Sequence, residues 1–504
     1  MAIATVILVI GKPLYVIKPP QGNIIPSVLG AIYMGIRGKI SSCLMYRTAK
    51  RDHWLDYAKD EYDEGLVNDT KKLLKVLKIF LPIPVFWALF DQQSSRWTFQ
   101  AVRTSGQIGT HLIKPDQMQV VNPLLILALI PVFDRVIYPQ FAKIGLLKDP
   151  IQRIFVGGLL TGLAFFMSGM LELTLQPTYG IVPKPHESHM HVMNSMDCLI
   201  GVQVSHQNDT EIYHMIESKA SYIIQGIVPG KDYSVTLKSP DLEPTKCMNL
   251  ESKQYSFKGI GGSTAEYIVA AAKDSSTIDA IRVIPEARPS DKKNSHSNPT
   301  IRVIVLHKDA LQNTTVRLYG VDTHDTTQFR NMTKGAGNSL VVTEYATVFP
   351  QAYNVAVNDK VAAGGKRLVL KQGGVYTVVA TTYNGITTMD KFVLTPENSV
   401  HMLWLIPQYI VITCGEVMLS ITGLEFSYSQ APAAMKSMVQ ACWLLTTAIG
   451  NLVVAFVAES HMFETQAPEF FLFGALMVVV MFWLLWLAKG SKCSSDQLAQ
   501  TTTE

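Results

Sequence analysis

The 504-residue sequence lacks the short motifs of the common enzyme chemistries. It contains no P-loop, no Cys-x-x-Cys pair, no His-Glu-x-x-His and no Gly-x-Ser-x-Gly, so nothing indicates phosphate transfer, dithiol chemistry or metal- or serine-dependent hydrolysis. It also lacks a basic stripe with interleaved aromatic residues, and its net charge is only +4. The sequence therefore gives no indication of an enzyme, of a bound cofactor or of a nucleic-acid partner.

Charged residues are scarce, at 17% of the chain, and apolar residues concentrate at the two ends. Six apolar stretches approach or exceed the roughly 20 residues needed to cross a bilayer. These stretches cover residues 76–90, 120–142, 154–175, 400–424, 437–458 and 470–488. We therefore predict an α-helical polytopic membrane protein in contact with lipid.

Lysine and arginine are distributed unevenly among the connections, which predicts the orientation. The segment before the first stretch is rich in both residues, whereas residues 459–469 contain neither. Positive connections stay on the cytoplasmic side, so residues 18–71 and the tail, 490–504, are expected there. Alternation then places the polar insert, residues 176–399, outside the cell, and the expected location is the plasma membrane.

The insert has the pattern of antiparallel strands rather than helices. Residues 300–307, 315–321 and 339–349 combine β-branched side chains with turn residues at short intervals. Stretches that begin at Gly230 and Gly373 share a Gly-x-x-Tyr-x-Val pattern, and residues 285–299 between them have linker composition. We predict two small β-sandwiches, over about 180–287 and about 297–395.

Two features of the insert fit an oxidising, glycosylating compartment. Of six cysteines only Cys198 and Cys247 lie in it, where a disulfide can persist. Three sequons are expected to be glycosylated, at Asn208, Asn313 and Asn331. The sequon at Asn68 lies on the predicted cytoplasmic side and is expected to stay bare.

The histidines of the insert are irregularly spaced among polar residues. This spacing favours solvated loops over a metal site. The five are His186, His189, His191, His206 and His214.

One carboxylate in an apolar stretch is hard to explain by structure alone. Glu416 lies in the middle of residues 400–424, with Ser420 four residues later on the same helical face. A charge inside a membrane costs a few kcal/mol and requires a partner or a water-filled cavity. Such a carboxylate can clamp an ammonium group in one state and take up a proton in another. Lys78 and Glu172, by contrast, are explained at least as well by structural ion pairs or by snorkelling to the interface.

Two long motifs carry a family resemblance. The first runs from Phe86 to Gln100 as FWALFDQQSSRWTFQ, and the second comprises Cys414-Gly415-Glu416-Val417 followed by ITGLEFSYSQAP from Ile421. They resemble helix seven and helix ten of the proton-coupled oligopeptide transporters, in their animal, intestinal-type branch. The resemblance implies a major facilitator superfamily fold with paired immunoglobulin-like lobes between helices nine and ten.

The resemblance also implies a peptide site. Glu416 takes the role of the group that binds the peptide amino terminus, and Asn122 matches a binding asparagine of helix eight. A site that accepts many side chains suits adaptable aromatic walls, and amide side chains can both donate to and accept from a peptide backbone. The substrate-binding residues are expected to be Phe86, Trp87, Gln93, Asn122, Glu416, Ser420 and Trp443.

Gate and proton-coupling roles are implied for a second group. Lys75, an arginine in the animal relatives, is expected to pair with Asp134 across two helices, although without the bidentate fork of arginine. Asp91 resembles an acid of the extracellular gate. Glu425 is as well suited to hold the turn after helix ten as to move protons.

The resemblance covers only the second half of the family's fold. We expect 1–17 to be a remnant of helix six, 18–71 an inter-bundle linker, 72–175 helices seven to nine, 176–399 the β domain and 400–489 helices ten to twelve. Motifs of the amino-terminal bundle have no counterpart. Two functions stay open. One is proton-coupled symport of di- and tripeptides, completed by an amino-terminal bundle, and the other is a non-transporting membrane protein that displays the β domain for binding.

Overall fold

The computed structural model divides the described part of the chain into two compact units. The first comprises Met1–Gln92, Asn122–Met167 and Gln408–Glu504, and the second comprises Gln93–Val121 and Ser168–Pro407. The structure describes residues 2–14, 24–45, 51–109, 111–206, 212–238, 253–271, 278–283, 297–307, 314–323, 325–329, 332–334, 340–361, 367–383, 386–459, 463 and 465–501.

Within these residues, five helices are long and apolar enough to cross a membrane, and a bent pair of helices makes a sixth candidate. In chain order we name them the first to the sixth span. They are Glu64–Phe80 with Ile83–Val102, Pro115–Lys143, Pro150–Thr178, Met402–Gln430, Lys436–Val457 and Gln466–Lys489. All six predicted apolar stretches fall largely inside these helices, so the prediction that they are helical is confirmed.

The first span starts earlier than predicted and is broken. Asp63 caps it, because its carboxylate accepts the backbone N–H of Gly65 at 2.9 Å. A bend of 43° separates Phe80 from Ile83, where Pro82 cannot donate a backbone hydrogen bond. The rest of the span comprises helix Ile83–Phe90, a 3₁₀ turn over Asp91–Ser94 and helix Arg96–Val102.

Residues 18–71, predicted as a linker, contain regular structure. A helix covers Ile25–Met45 and a 3₁₀ helix covers Trp54–Asp60. Ala31, Leu55, Ala58 and Val67 form a small buried cluster that joins these elements to the start of the first span. A further apolar helix covers Ala2–Ile10.

Glycines allow close approach of the spans in the first unit. A Cβ added at Gly415 would lie 2.7 Å from the carbonyl oxygen of Gly157, which brings the fourth span against the third. A Cβ at Gly450 would lie 2.6 Å from the carbonyl oxygen of Pro84, which brings the fifth span against the first. Small residues at such contacts are typical of membrane helices, where packing rather than water exclusion drives association.

Apart from a short antiparallel pair formed by Gln107–Ile108 and His111–Leu112, the described strands of the second unit form two groups. The first group, which we call lobe one, comprises β1 (Ser188–Asn194), β2 (Ile200–Ser205), β3 (Ile212–Ile216), β4 (Ser221–Ile227), β5 (Asp232–Lys238), β6 (Lys253–Lys258), β7 (Thr264–Ala271) and β8 (Ile278–Arg282). Its two four-stranded sheets have the orders β8-β7-β1-β4 and β3-β2-β5-β6. One apolar core lies between them, with Ile200, Val202 and Leu237 fully buried.

The second group, lobe two, begins at residue 300. It comprises β9 (Thr300–His307), β10 (Val316–Gly320), β11 (Thr326–Gln328), β12 (Met332–Lys334), β13 (Leu340–Thr343), β14 (Ala346–Thr347), β15 (Ala352–Val357), β16 (Lys360–Val361), β17 (Leu368–Val369), β18 (Val375–Tyr383) and β19 (Ile386–Thr395). One sheet has the order β12-β13-β9-β18-β19, with β14 on β9, and the other has the order β11-β10-β15-β16, with β17 on β15. A second core lies between these sheets.

The shared Gly-x-x-Tyr-x-Val pattern forms the same local structure in both lobes. Gly230 and Gly373 have φ angles of +83° and +70°, a left-handed conformation that glycine adopts without strain. The Tyr233 hydroxyl accepts the N–H of Val228 at 3.1 Å, and the Tyr376 hydroxyl accepts the N–H five residues before it at 3.2 Å. Each is a tyrosine corner, which pins a strand to the loop that precedes it.

The two lobes share a buried interface. Apolar side chains of the two sheets built around β1 and β9 form one cluster. Beside it, Arg302 forms a salt bridge to Glu266, donates its Nε to the Thr377 hydroxyl at 3.1 Å and stacks over the Tyr345 ring. Burial opposes the charge of Glu266, but the positive charge of Arg302 and the proximity of His191, whose Nδ1 lies 3.6 Å from the carboxylate, lower its pKa to about 2.

The prediction of solvated histidines is wrong for two of the five. His189 and His191 lie on β1 and are 2% and 1% exposed. Their alternation with Met190 and Val192 places them on the face of β1 opposite the core of lobe one. Strand β1 is buried on both faces, but one of these faces carries polar residues, so its sequence resembles that of a solvated segment. Among the described residues no group of three or more metal-ligating side chains occurs.

Candidate functional site

Glu416 lies in a small polar cluster within the first unit. The Asn122 side-chain amide donates to Glu416 Oε2 at 3.0 Å and to the Thr413 hydroxyl at 3.1 Å. Thr413 in turn donates to the carbonyl oxygen of Tyr409 at 2.7 Å. The cluster joins the second span to the fourth and orients the carboxylate, which is half-buried and keeps acceptor capacity for a further donor.

The fourth span changes its winding immediately after this carboxylate. Residues Val417–Ile421 form a π-helix that contains Ser420, and a second π-helix covers Phe133–Ile137 in the second span. Such segments are rare and occur frequently at functional sites, because the wider turn leaves backbone groups and side chains displaced from the regular ladder. Ser420 is half-buried in this segment.

An aromatic wall lies between the first and fifth spans in the same unit. The rings of Trp87 and Trp443 are 6.2 Å apart and nearly perpendicular, and Phe80 meets Trp443 edge to face at 5.4 Å. Phe86 and Phe90 stack at 5.8 Å and both contact Trp87. Among the described residues the buried indole N–H of Trp87 has no hydrogen-bond partner. Phe86 and Trp443 are buried within this packing, whereas Trp87 and Phe90 are partly exposed.

A second carboxylate, Asp91, lies within electrostatic range of Glu416. Asp91 forms a hydrogen bond with Asn451 of the fifth span and interacts electrostatically with Glu416. Two carboxylates in one partly buried region repel each other when both are ionised, so uptake of one proton or approach of one cation relieves the repulsion. The region can thus respond to protons and to an ammonium group.

Asp134 and Glu425, from the predicted gate group, lie around one tyrosine. Both interact electrostatically with Tyr138, whose ring stacks under the Arg153 guanidinium at 4.2 Å. This cluster connects the second, third and fourth spans.

The predicted pair of Lys75 and Asp134 is not formed in this structure. Both side chains are exposed, and among the described residues no salt bridge joins them. The gate role of this pair stays a prediction.

Gln93 is the one predicted binding residue that belongs to the second unit. It is 8% exposed, and its part in a site stays a prediction.

Cys198 is disulfide-bonded. The partner expected from the sequence, Cys247, lies outside the described residues, as do Asn208, Asn313 and Asn331. The pairing and the glycosylation sites therefore stay predictions. Cys414 and Cys442 are free thiols.

Several residues of these clusters were not singled out from the sequence. Thr413 precedes Glu416 by three residues, a helical spacing that could have indicated it. Asn451, Tyr138 and Arg153 join clusters only through contacts between distant spans, and no local pattern marks them.

Comparison with known proteins identifies the family. The model of the POT family matches residues 1–226 and 365–469. The chain is 35% identical to peptide transporter family 1 of Drosophila melanogaster, over 97% of this chain and 62% of that protein. It is 33% identical to solute carrier family 15 member 1 of Oryctolagus cuniculus, over 95% of this chain and 64% of that protein.

A solved structure of the POT family transporter PepTSo is similar over 98% of this chain and 63% of that chain, with a TM-score of 0.44 and 15% identity. The family model and the two relatives named above show that the chain belongs to the POT family, whose members are membrane transporters. It spans less than two thirds of the length of the curated relatives named above.

Proposed function

We propose that this chain acts in proton-coupled symport of di- and tripeptides across the plasma membrane, as the carboxy-terminal half of a major facilitator fold. The family supports the substrate class, and the cluster of Glu416, Asn122 and Thr413, together with the aromatic wall of the same unit, supports the site. An amino-terminal bundle would provide the opposite wall, because transporters of this architecture bind substrate between two bundles. No cofactor is involved, and protons serve as the coupling ion.

The orientation of Glu416 by Asn122 is the observation that carries the proposal. One carboxylate oxygen accepts the amide at 3.0 Å, which leaves the other positioned for the ammonium group of a peptide. Trp87, Phe86 and Trp443 then contact variable side chains without matched polar groups. Ser420 and Gln93 are proposed to complete the peptide contacts.

Proton coupling is assigned to the neighbouring carboxylates. A proton bound in the region of Asp91 and Glu416 exchanges for the cationic end of the peptide, so substrate and proton occupy the region in sequence. Glu425, with Lys75 and Asp134, is assigned to the opposite gate. Tyr138, which interacts electrostatically with both Asp134 and Glu425, supports a role in which a change of charge at one carboxylate affects the other.

The β domain supports a second candidate function. We infer that its lobes are immunoglobulin-like and extracellular, which the tyrosine corner in each lobe supports. Each lobe has an apolar core of its own, as a module built for binding would have. The alternative is therefore a membrane protein that displays this domain without transporting peptide.

Uptake measurements on a chimera separate the two candidates. Helices one to six of a transporting relative are fused to this chain, and uptake of a labelled dipeptide is measured with and without an inward proton gradient. We expect gradient-dependent uptake that Glu416→Gln weakens at least tenfold in apparent affinity, since a charged hydrogen bond contributes about 1.5–3 kcal/mol.

Glu459→Gln is the matched control, because it removes an exposed carboxylate at the end of helix Lys436–Glu459, outside the cluster around Glu416. It should leave the apparent affinity within twofold. A correctly inserted chimera without gradient-dependent uptake would favour the display function.

A further inference from the structure

The backbone that follows the first span is held by side chains from lobe two and from the segment that leaves it. Asn398 donates its side-chain amide to the carbonyl oxygens of Val102 and Thr104, at 3.1 and 2.8 Å. The Gly106 N–H donates to the Gln372 side chain at 2.7 Å. All these residues belong to the second unit.

The main chain adds a short parallel bridge. Ser105 pairs with His401, the Ser105 N–H donates to the carbonyl oxygen of Val400 at 2.8 Å, and the Met402 N–H donates to the carbonyl oxygen of Ser105 at 2.7 Å. The chain leaving the first span is thereby joined to the chain that enters the fourth.

These contacts satisfy carbonyl groups at the end of the helix Arg96–Val102. The last carbonyl groups of a helix have no partner within the helix, and they are usually satisfied by water or by the residues that follow directly. Here the Val102 carbonyl receives hydrogen bonds from Asn398 and from the Ser297 hydroxyl. Both donors come from residues almost two hundred or more positions away, so the helix end depends on the fold of lobe two.

The same helix is held on another side by the third span. Gln100 donates to the carbonyl oxygen of Ser168 at 3.0 Å and to Glu172 at 2.9 Å, and Arg103 pairs with Glu172 at 2.7 Å. Arg103 also stacks over the Tyr179 ring at 4.2 Å. Glu172 is fully buried, whereas the Arg103 side chain is 27% exposed, and breaking the pair is costly because it leaves a buried carboxylate without its counter-charge.

We propose that Asn398 and Glu172 are positioning residues for the last helix of the first span, Arg96–Val102, and that this helix moves only together with lobe two. The inference rests on the proposed function.

The aromatic wall residues Phe86 and Trp87 precede the 3₁₀ turn over Asp91–Ser94, whereas the held helix, Arg96–Val102, follows this turn. A 3₁₀ turn has poorer hydrogen-bond geometry than an α-helix, and Ser95 provides no side-chain cap. The turn is therefore the point at which the span flexes during transport.

Substitution of Asn398 separates hydrogen bonding from packing. Aspartate has the same shape but presents a carboxylate to two carbonyl oxygens, so it loses both donors. If the amide acts through these hydrogen bonds, Asn398→Asp and Asn398→Ala should behave alike. If its volume alone matters, Asn398→Asp should behave like the unchanged protein.

The test measures hydrogen exchange by mass spectrometry on the full chain in lipid nanodiscs. We expect Asn398→Asp and Asn398→Ala to raise exchange over residues 102–106 at least tenfold. Exchange over residues 83–90 and over β18 should stay within twofold. Asn354→Ala, on the other sheet of lobe two, is the matched control and should leave all three regions unchanged.

A second readout in the uptake chimera separates positioning from a purely structural role. Asn398→Asp should change the maximal uptake rate at least threefold while KM stays within twofold, because the Glu416 cluster is untouched. Unchanged exchange over residues 102–106, an effect of Asn398→Ala that Asn398→Asp does not share, or an unchanged maximal rate would each overturn the proposal. A chimera without uptake would contradict the proposed function and the part of this proposal that concerns transport. It would not contradict the hydrogen bonding of residues 102–106 by Asn398, because hydrogen exchange is measured without transport activity.

Discussion

The salt bridge between Glu266 and Arg302 allows us to predict how much a single substitution weakens the contact between the two lobes of the β domain. Substitution Glu266→Gln keeps the size of the side chain but leaves the Arg302 guanidinium, which is 2% exposed, without its counter-charge. A buried charge that loses its partner destabilises a protein by about 3–5 kcal/mol. The two lobes should therefore separate or open more often.

The pKa of Glu266 gives an independent magnitude. A fall from the ordinary 4.5 to about 2 corresponds to roughly 3 kcal/mol in favour of the folded, ionised form. Since the folded pKa is the lower one, this stabilisation is fully present above pH 4.5 and is lost as the pH falls towards 2. Neutral pH is thus the condition in which the substitution has its full effect.

Hydrogen exchange of β1 and β9 in the detergent-solubilised chain measures the effect. At pH 7 we expect opening of these strands to become about a hundredfold more frequent in Glu266→Gln, because each 1.4 kcal/mol is a factor of ten. Asp359→Asn is the control, since it breaks an exposed pair with Arg317 in lobe two that contributes at most about 1 kcal/mol. Equal exchange in the two variants would refute the reasoning.

Three further predictions concern packing, the gate and the topology. Gly450→Leu should lower the melting temperature of the purified chain by several degrees, because overpacking at the Pro84 contact costs about 1–3 kcal/mol, and an unchanged melting curve would exclude that contact. In the uptake chimera Lys75→Asp should impair uptake and a second change, Asp134→Lys, should partly restore it, whereas failure of the double variant to recover would remove the pair from the gate. Glycosidase treatment should reduce the mass of the expressed chain, and this mass shift should disappear on substitution of Asn208, Asn313 and Asn331. A glycan on Asn68 would show that the predicted topology is inverted.

The spans could be predicted from the sequence because the length and apolar composition of a segment are enough to identify a helix that can cross a membrane. The break of the first span could not be placed, although Pro82 and Pro84 lie beside it, since prolines also occur at helix starts. Its beginning at Glu64 was missed because the first turns are polar and pack on residues from the preceding segment rather than in lipid.

Interactions between distant segments were the least predictable part of the site. Glu416 was identified from its position in a span, but its contact with Asn122 required the second and fourth spans to pack together. Glu172 was left open between a structural pair and the interface, and the structure resolves it as a buried pair with Arg103. Asn398 carries no local signal at all, since its two acceptors lie almost three hundred residues earlier.

The central claim is that Glu416 binds the amino terminus of a peptide. The most direct measurement compares inhibition of dipeptide uptake by a dipeptide and by its N-acetylated form, in the chimera with Glu416 and with Glu416→Gln. Acetylation removes the ammonium charge, so the unchanged chimera should prefer the free dipeptide at least tenfold, and Glu416→Gln should reduce the preference to about twofold or less. A preference that persists in Glu416→Gln would contradict the claim and place the amino-terminal site elsewhere.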